Sequence, residues 1–148
     1  MNKWDQRFLG LAQHVSSWSK DPSTKVGAVI ADSYNRVLSL GFNGFPVGVN
    51  DAPGRLNDRQ TKYQMVVHAE LNAVLFAQSS QLQLADATLY TYPFPPCTNC
   101  AGAIIQSGIK RIVSYSDVPE RWSEDFELAF AMFEESGVQI TVTNEGLQ

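Results

Sequence analysis

The stretch 88-TLYTYPFPPCTNCAGAIIQSGIKRIVSYS-116 decides the fold. Thr88 to Tyr92 is rich in β-branched and aromatic side chains and reads as a strand, as does Arg111 to Ser116. Between them, CTNCAGAIIQSG (97–108) opens a helix directly after Pro96, a residue suited to a helix entrance, and Gly108 stops it. Upstream, HAELNAVLFAQ (68–78) has helical spacing and good helix formers. Helices and strands that alternate through short connections point to a layered α/β domain with helices on both faces of a sheet.

Further out, VGAVIA (26–31) and VLSLGF (37–42) are two short strands, and the polar Asp32-Ser33-Tyr34-Asn35 between them reads as a hairpin connection. The sheet therefore starts antiparallel. Trp4, Phe8, Leu11, Val15 and Trp18 fall at spacings of three and four, which predicts a helix over residues 4–18 with Asp5, Arg7 and Gln13 turned away from its apolar stripe. Its end is expected near Asp21-Pro22, because the residue before a proline is pushed out of the α region. Residues 43–62 carry Gly44, Pro46, Gly48, Pro53 and Gly54 with little periodicity and read as a long functional loop. A last helix over about 124–136, with Phe126, Phe130 and Phe133 as a stripe for core or interface, and a strand VQITV close the chain. The expected architecture is an α/β fold, a three-layer α/β/α sandwich around a mixed five-stranded sheet.

With 148 residues, 44% hydrophobic and 18% charged, the chain suits one domain spanning 1–148. A formal charge of -4 disfavours a long nucleic-acid partner, which requires a surplus of Lys and Arg against its phosphates. No apolar run approaches the ~18 residues of a membrane span, and the N-terminus lacks the basic and apolar regions of a signal peptide. The expectation is a soluble, cytoplasmic protein that engages neither membrane nor nucleic acid.

Chemistry concentrates in two segments. The only cysteines, Cys97 and Cys100, sit two residues apart, and the only histidines are His14 and His68. His68-Ala69-Glu70 followed by Pro96-Cys97-Thr98-Asn99-Cys100 matches the pattern H-x-E then P-C-x-x-C of zinc deaminases. Two thiolates and one imidazole suit zinc, and the two thiolate charges cancel the dication. Three protein ligands leave one position open for water, as a catalytic zinc needs. Both segments open helices, so their free amides and positive dipole ends would help keep the thiols ionised. Glu70 is two residues from His68 on a helix and so does not share its face, which makes it a general acid/base beside the metal and not a ligand. A closed structural zinc site and a redox CxxC pair remain as rival readings. His14 is read as an ordinary helix residue.

The chain resembles the cytidine deaminase-like superfamily and, within it, the deoxycytidylate deaminases. SKDPSTKVGAVI, GFNGFPVG, TKYQMVVHAELNAV, FPPCTNCAGAIIQSGIKRIV and Ser116-Asp117 carry the resemblance. It implies hydrolytic deamination of dCMP to dUMP and ammonia, with His68, Cys97 and Cys100 on one Zn2+ per subunit and Glu70 moving protons. It further implies that Asn43 reaches the substrate sugar; Ala69 is a further candidate substrate contact, and Phe94 and Pro95 are expected to supply walls and lid together with the 43–62 loop. Tyr115 and Trp122 are the candidates to stack on the base. Gly41, Phe42, Asn43 and Gly44, with Lys25, are implied as an effector region for dCTP, an activator carried with Mg2+, and for dTTP, an inhibitor. The resemblance also implies a homo-oligomer, often a hexamer. For the 5'-phosphate the candidates are Lys20, Lys25, Arg55, Arg59, Lys62 and Arg121, with Ser23 and Thr24 as uncharged alternatives. A deaminase of tRNA adenosine or of free nucleosides and a non-enzymatic zinc module remain as alternatives.

Overall fold

The computed structural model describes residues 1–144; residues 145–148, the tail of the expected domain, lie outside the described residues. Helix α1 (Lys3–Ser16) precedes a hairpin of β1 (Gly27–Ala31) and β2 (Val37–Phe42). Short helices α2 (Pro53–Leu56) and α3 (Arg59–Met65) follow, then α4 (Ala69–Ser79), β3 (Thr88–Tyr92), α5 (Thr98–Ser107), β4 (Arg111–Tyr115), α6 (Ser123–Ser136) and β5 (Gln139–Thr143). The strands form one mixed sheet in the order β2-β1-β3-β4-β5. β1 runs antiparallel to both neighbours, whereas β3, β4 and β5 are parallel. This is the expected three-layer α/β/α arrangement.

Side chains two apart on a strand share a face, and the core divides accordingly. Val29, Ala31, Tyr90, Val113 and Tyr115 face α1, where Phe8, Leu9 and Ala12 cover them. Ala28, Ile30, Leu89 and Ile112 face the opposite way into a larger cluster with α4, α5 and α6. β1 is buried along its whole length, as a central strand covered on both faces must be. Two glycines let the helices press close. A Cβ at Gly27 would stand 2.0 Å from the Ala12 carbonyl oxygen of α1, and one at Gly41 would stand 2.2 Å from the Ala69 carbonyl oxygen of α4.

The structure corrects the first helix in two respects. It ends at Ser16, where the hydroxyls of Ser16 and Ser17 turn back to the carbonyls of Gln13 and His14, so Trp18 falls outside it and is half exposed. Asp5 is not turned away; it is 1% exposed. Its carboxylate receives both Arg111 guanidinium nitrogens, at 2.8 and 2.6 Å, and the Tyr90 hydroxyl at 2.9 Å. It also accepts the Asn2 amide, while Asn2 Oδ1 accepts those of Trp4 and Asp5, a reciprocal cap that starts the helix. The buried face is Asp5, Phe8, Leu9, Ala12, Val15 and Ser16. Local polarity hid this, because the partners of Asp5 arrive from β3 and β4. The 43–62 loop is corrected too: α2 and the first half of α3 occupy its second part.

Asp5 is held down to about 2 from 3.8, first by the Arg111 hydrogen bonds, which outweigh its burial, then by the Asn2 amide and the Tyr90 hydroxyl. A depressed carboxylate stabilises the fold above its unfolded value, and the contribution disappears as pH falls through the folded value. Asp5→Asn is therefore expected to cost about 2 kcal/mol at pH 7 and little at pH 2, the difference developing between about pH 4 and 2. Urea unfolding of wild type and variant at both ends of that window checks this; an equal difference at both would contradict it.

Candidate active site

The site lies where two helices begin. His68 occupies the N-cap position of α4, and Cys97 that of α5, both in extended backbone conformation. Pro95 and Pro96 lead into α5 and pre-set its approach. His68 Nδ1 lies 3.4 Å from Cys97 Sγ and 3.4 Å from Cys100 Sγ, and one ligand atom from each residue lies within 4.8 Å of the others. Tetrahedral zinc with ordinary Zn–S and Zn–N bonds sets its N and S ligands ~3.6 Å apart, so the trio fits the ion in chemistry and in spacing. Among the described residues this group has three members, one short of a closed structural site. His14 stands apart on α1, edge-on to Trp18.

The electrostatics of the trio without metal follow from its proximity. Cys97 is pulled down to about 4, first by its hydrogen bond with Cys100 and then by His68. Cys100 is pushed up by that same hydrogen bond, since it keeps the proton, and further by burial. His68 is raised to about 8, chiefly by Cys97. Glu70 is 3% exposed and stands outside the ligand group. Burial raises its pKa, the direction that suits a carboxyl exchanging protons near neutrality.

A cavity of about 360 Å³ opens in front of these groups, within the range of small-molecule sites. His68, Ala69, Glu70 and Cys97 form its floor, and Phe94, Pro95, Trp122 and Phe126 line one wall. Trp122 meets Phe94 edge-on at 5.7 Å, and Phe94 meets Phe126 at 5.6 Å, so the aromatic wall is braced internally. Asp21, Asn43 and Lys62 lie on the cavity as well. They interlock: Asn43 Oδ1 accepts the Val26 amide at 2.8 Å, Asn43 Nδ2 donates to the Thr24 carbonyl at 2.9 Å, and Lys62 Nζ donates to Asp21 Oδ1 at 3.2 Å.

Most of the expected site residues meet here, but not all. Tyr115 is not on the cavity; it is buried on the α1 face, edge-on to Tyr92, because it shares strand parity with Val113. That leaves Trp122 as the candidate for the base. Gly41, Phe42, Gly44 and Lys25 do not line the cavity either. Gly41 permits the close approach of α4, Phe42 packs edge-on to Trp18, Gly44 bridges to Val67, and Lys25 Nζ donates to the Ser19 carbonyl. Of the phosphate candidates, Arg59, Lys62 and Arg121 border the cavity with Ser23 and Thr24. Lys20 pairs with Asp51, and Arg55 donates to the Asn50 carbonyl. Asp21 and Asp125 were missed in the sequence, and no local signal marks them: one reads as a helix stop, the other as an ordinary first-turn acid.

Residues 2–116 match the profile of the cytidine and deoxycytidylate deaminase zinc-binding region. The chain belongs to this family. A deaminase of Aliivibrio fischeri is 43% identical over 144 residues, covering 95% of this chain and 94% of that one. The deoxycytidylate deaminase of Mus musculus is 38% identical over 141 residues, covering 92% and 77%. Among solved structures, the dCMP deaminase of cyanophage S-TIM5 in complex with dCMP and dUMP superposes with a TM-score of 0.78 at 21% identity, over 97% of this chain and 99% of that one. The chain thus shares the fold, the zinc-binding region and the hydrolytic deaminase character of the family. No helix among the described residues is long and apolar enough to cross a membrane.

Cys97→Ser is expected to abolish stoichiometric zinc binding, because a serine hydroxyl stays protonated where a thiolate is needed. Elemental analysis of the purified variant beside wild type checks this, and an unchanged zinc content would remove Cys97 from the ligand set.

Proposed function

We propose that this chain converts dCMP and water to dUMP and ammonia. The observation that carries the reading is the buried carboxyl of Glu70 beside a three-member ligand group at the floor of a cavity walled by Phe94 and Trp122. Relatives that cover most of this chain are named deoxycytidylate deaminases, which supports the choice of substrate. Zinc bound by His68, Cys97 and Cys100 supplies the Lewis acidity that activates water at neutral pH.

The protein's own groups do the rest. Glu70 takes a proton from the attacking water at its carboxylate oxygen and delivers it to N3 of the cytosine, so that C4 accepts the nucleophile. A second transfer through the same carboxyl protonates the departing amine. Trp122, braced by Phe94, offers a flat surface to the ring and keeps bulk water off C4. The backbone at Ala69 borders the ring. Asn43 has its amide protons committed within the loop, but its carbonyl oxygen retains an acceptor position for a sugar hydroxyl. Arg59, Lys62 and Arg121 are the seat for the 5'-phosphate, assisted by the Ser23 and Thr24 hydroxyls.

The resemblance of the Gly41–Gly44 segment supports regulation, with dCTP and Mg2+ activating and dTTP inhibiting; the family resemblance supports a homo-oligomer, and the formal charge of -4 with the lack of a long apolar run supports a cytoplasmic protein that uses neither nucleic acid nor membrane. Gly41 and Phe42 end β2, and of the four residues Asn43 lines the cavity.

Ultraviolet absorbance reports the conversion of cytosine to uracil directly. Zinc-replete protein is expected to convert dCMP in preference to deoxycytidine and an RNA hairpin, faster with dCTP and Mg2+, and to stop when stripped by a chelator. Folded, zinc-loaded protein that leaves dCMP untouched with or without dCTP would overturn the substrate; conversion indifferent to dCTP would overturn only the regulation. Glu70→Ala is expected to keep its zinc and lose two to four orders of magnitude in kcat, the scale of removing a general acid/base; an active variant would take Glu70 out of the mechanism.

A further inference from the structure

A helix leaves its first amides without partners, and a side chain at the N-cap position ordinarily satisfies one of them. Cys97 holds that position in α5, yet its side chain makes no capping bond. The Thr98 amide, the first of the helix, is satisfied from another part of the chain. Its partner is Asp125, in the first turn of α6. Asp125 Oδ2 accepts the Thr98 amide at 3.1 Å, and Asp125 Oδ1 accepts the Thr98 hydroxyl at 2.6 Å. Both carboxylate oxygens thus engage a single residue, and that residue lies between the two cysteines. Asp125 is outside the ligand group and borders the cavity. Three residues before it in the chain is Trp122, and directly after it is Phe126, both on the aromatic wall.

We propose that Asp125 is a positioning residue for the metal centre. It acts as a clamp between helices that holds the Cys97–Cys100 turn in ligand geometry and registers it against the wall that faces the base. The proposal rests on the reading that His68, Cys97 and Cys100 bind zinc. Its effect passes through Thr98 and not through contact with the ion. Groups that orient metal ligands in this way typically contribute 10- to 100-fold to affinity. An ordinary helix cap would stabilise the folded chain equally with and without metal. A clamp on the ligands must also change how tightly zinc is held.

The test is zinc affinity of the full chain by competition with a chromophoric chelator, with circular dichroism of the metal-free samples to establish folding. Wild type, Cys97→Ser, Asp125→Ala, Asp125→Asn and Thr98→Val are compared. Asp125→Ala is expected to bind zinc 10- to 100-fold more weakly while folded, and to show a smaller rise in Tm on zinc addition. Asp125→Asn is expected to recover most of the affinity, because its amide oxygen still accepts the Thr98 N–H. Thr98→Val, which loses only the hydroxyl bond, is expected to fall between. A folded Asp125→Ala with wild-type zinc affinity would overturn the clamp. Should that variant not fold, Thr98→Val decides, and wild-type affinity there overturns it. A wild type that takes up no zinc, or a Cys97→Ser variant that binds it normally, would instead reject the ligand reading on which the clamp depends.

Discussion

His68 lies 29 residues from Cys97 and 32 from Cys100, yet its ring nitrogen stands 3.4 Å from both sulfurs. Covalent proximity supplies only the pair of cysteines; everything else is delivered by the sheet. β3 carries the chain to the start of α5, and β1 beside it holds β2, against which α4 packs. The two helix N-termini then come together at these side chains, and their amides and dipoles favour thiolate charge there. The hydrophobic layers matter to the chemistry through this geometry, because they fix where each helix begins.

Buried polar groups hold the parts that the hydrophobic layers alone would leave free to slide. On one face, the bidentate Asp5–Arg111 pair with Tyr90 ties α1 to β3 and β4. On the other, Asp21 gathers the amides of Ser23 and Thr24, the ammonium of Lys62 and the carboxamide of Asn43, so a segment without regular structure presents a fixed surface to the cavity. Burying charge is costly unless every partner is in place, and in both clusters the carboxylate is satisfied from several directions. Such groups also specify one arrangement among the many that apolar contacts would tolerate.

The gathering of His68, Cys97 and Cys100 with the buried Glu70 was legible in the sequence because soft donors at fixed spacing ahead of helix starts have few other uses. The strands were legible for a similar reason: the periodicities of 88–92 and 37–42 agree with the tertiary environment, and the structure places them at the same residues. Asp5, Asp21 and Asp125 were not, since each owes its role to partners from distant elements and looks locally like a solvated acid. Tyr115 failed as a stacking candidate on strand parity, a property visible in RIVSYS only once it is known which alternate residues face α1. The short helices within 43–62 escaped because four- and seven-residue helices carry too little periodicity to stand out against Pro and Gly.

The two close glycines lie almost back to back. Gly41 pairs with Ala28, the neighbour of Gly27, so α1 and α4 bear on adjacent points of one hairpin from opposite sides. The hairpin there is only a backbone thick. It works as a shim that sets the gap between the helix at the N-terminus and the helix that bears His68 and Glu70. Ala12, Ala69 and Ala73, which meet it, are small and fully buried. Drift in side-chain size at any of these five positions would change the spacing felt by the others. The start of α4, with His68 and Glu70, is thereby coupled to the far face of the molecule through steric fit alone, and mutational freedom at this spot is limited on both sides of the sheet at once.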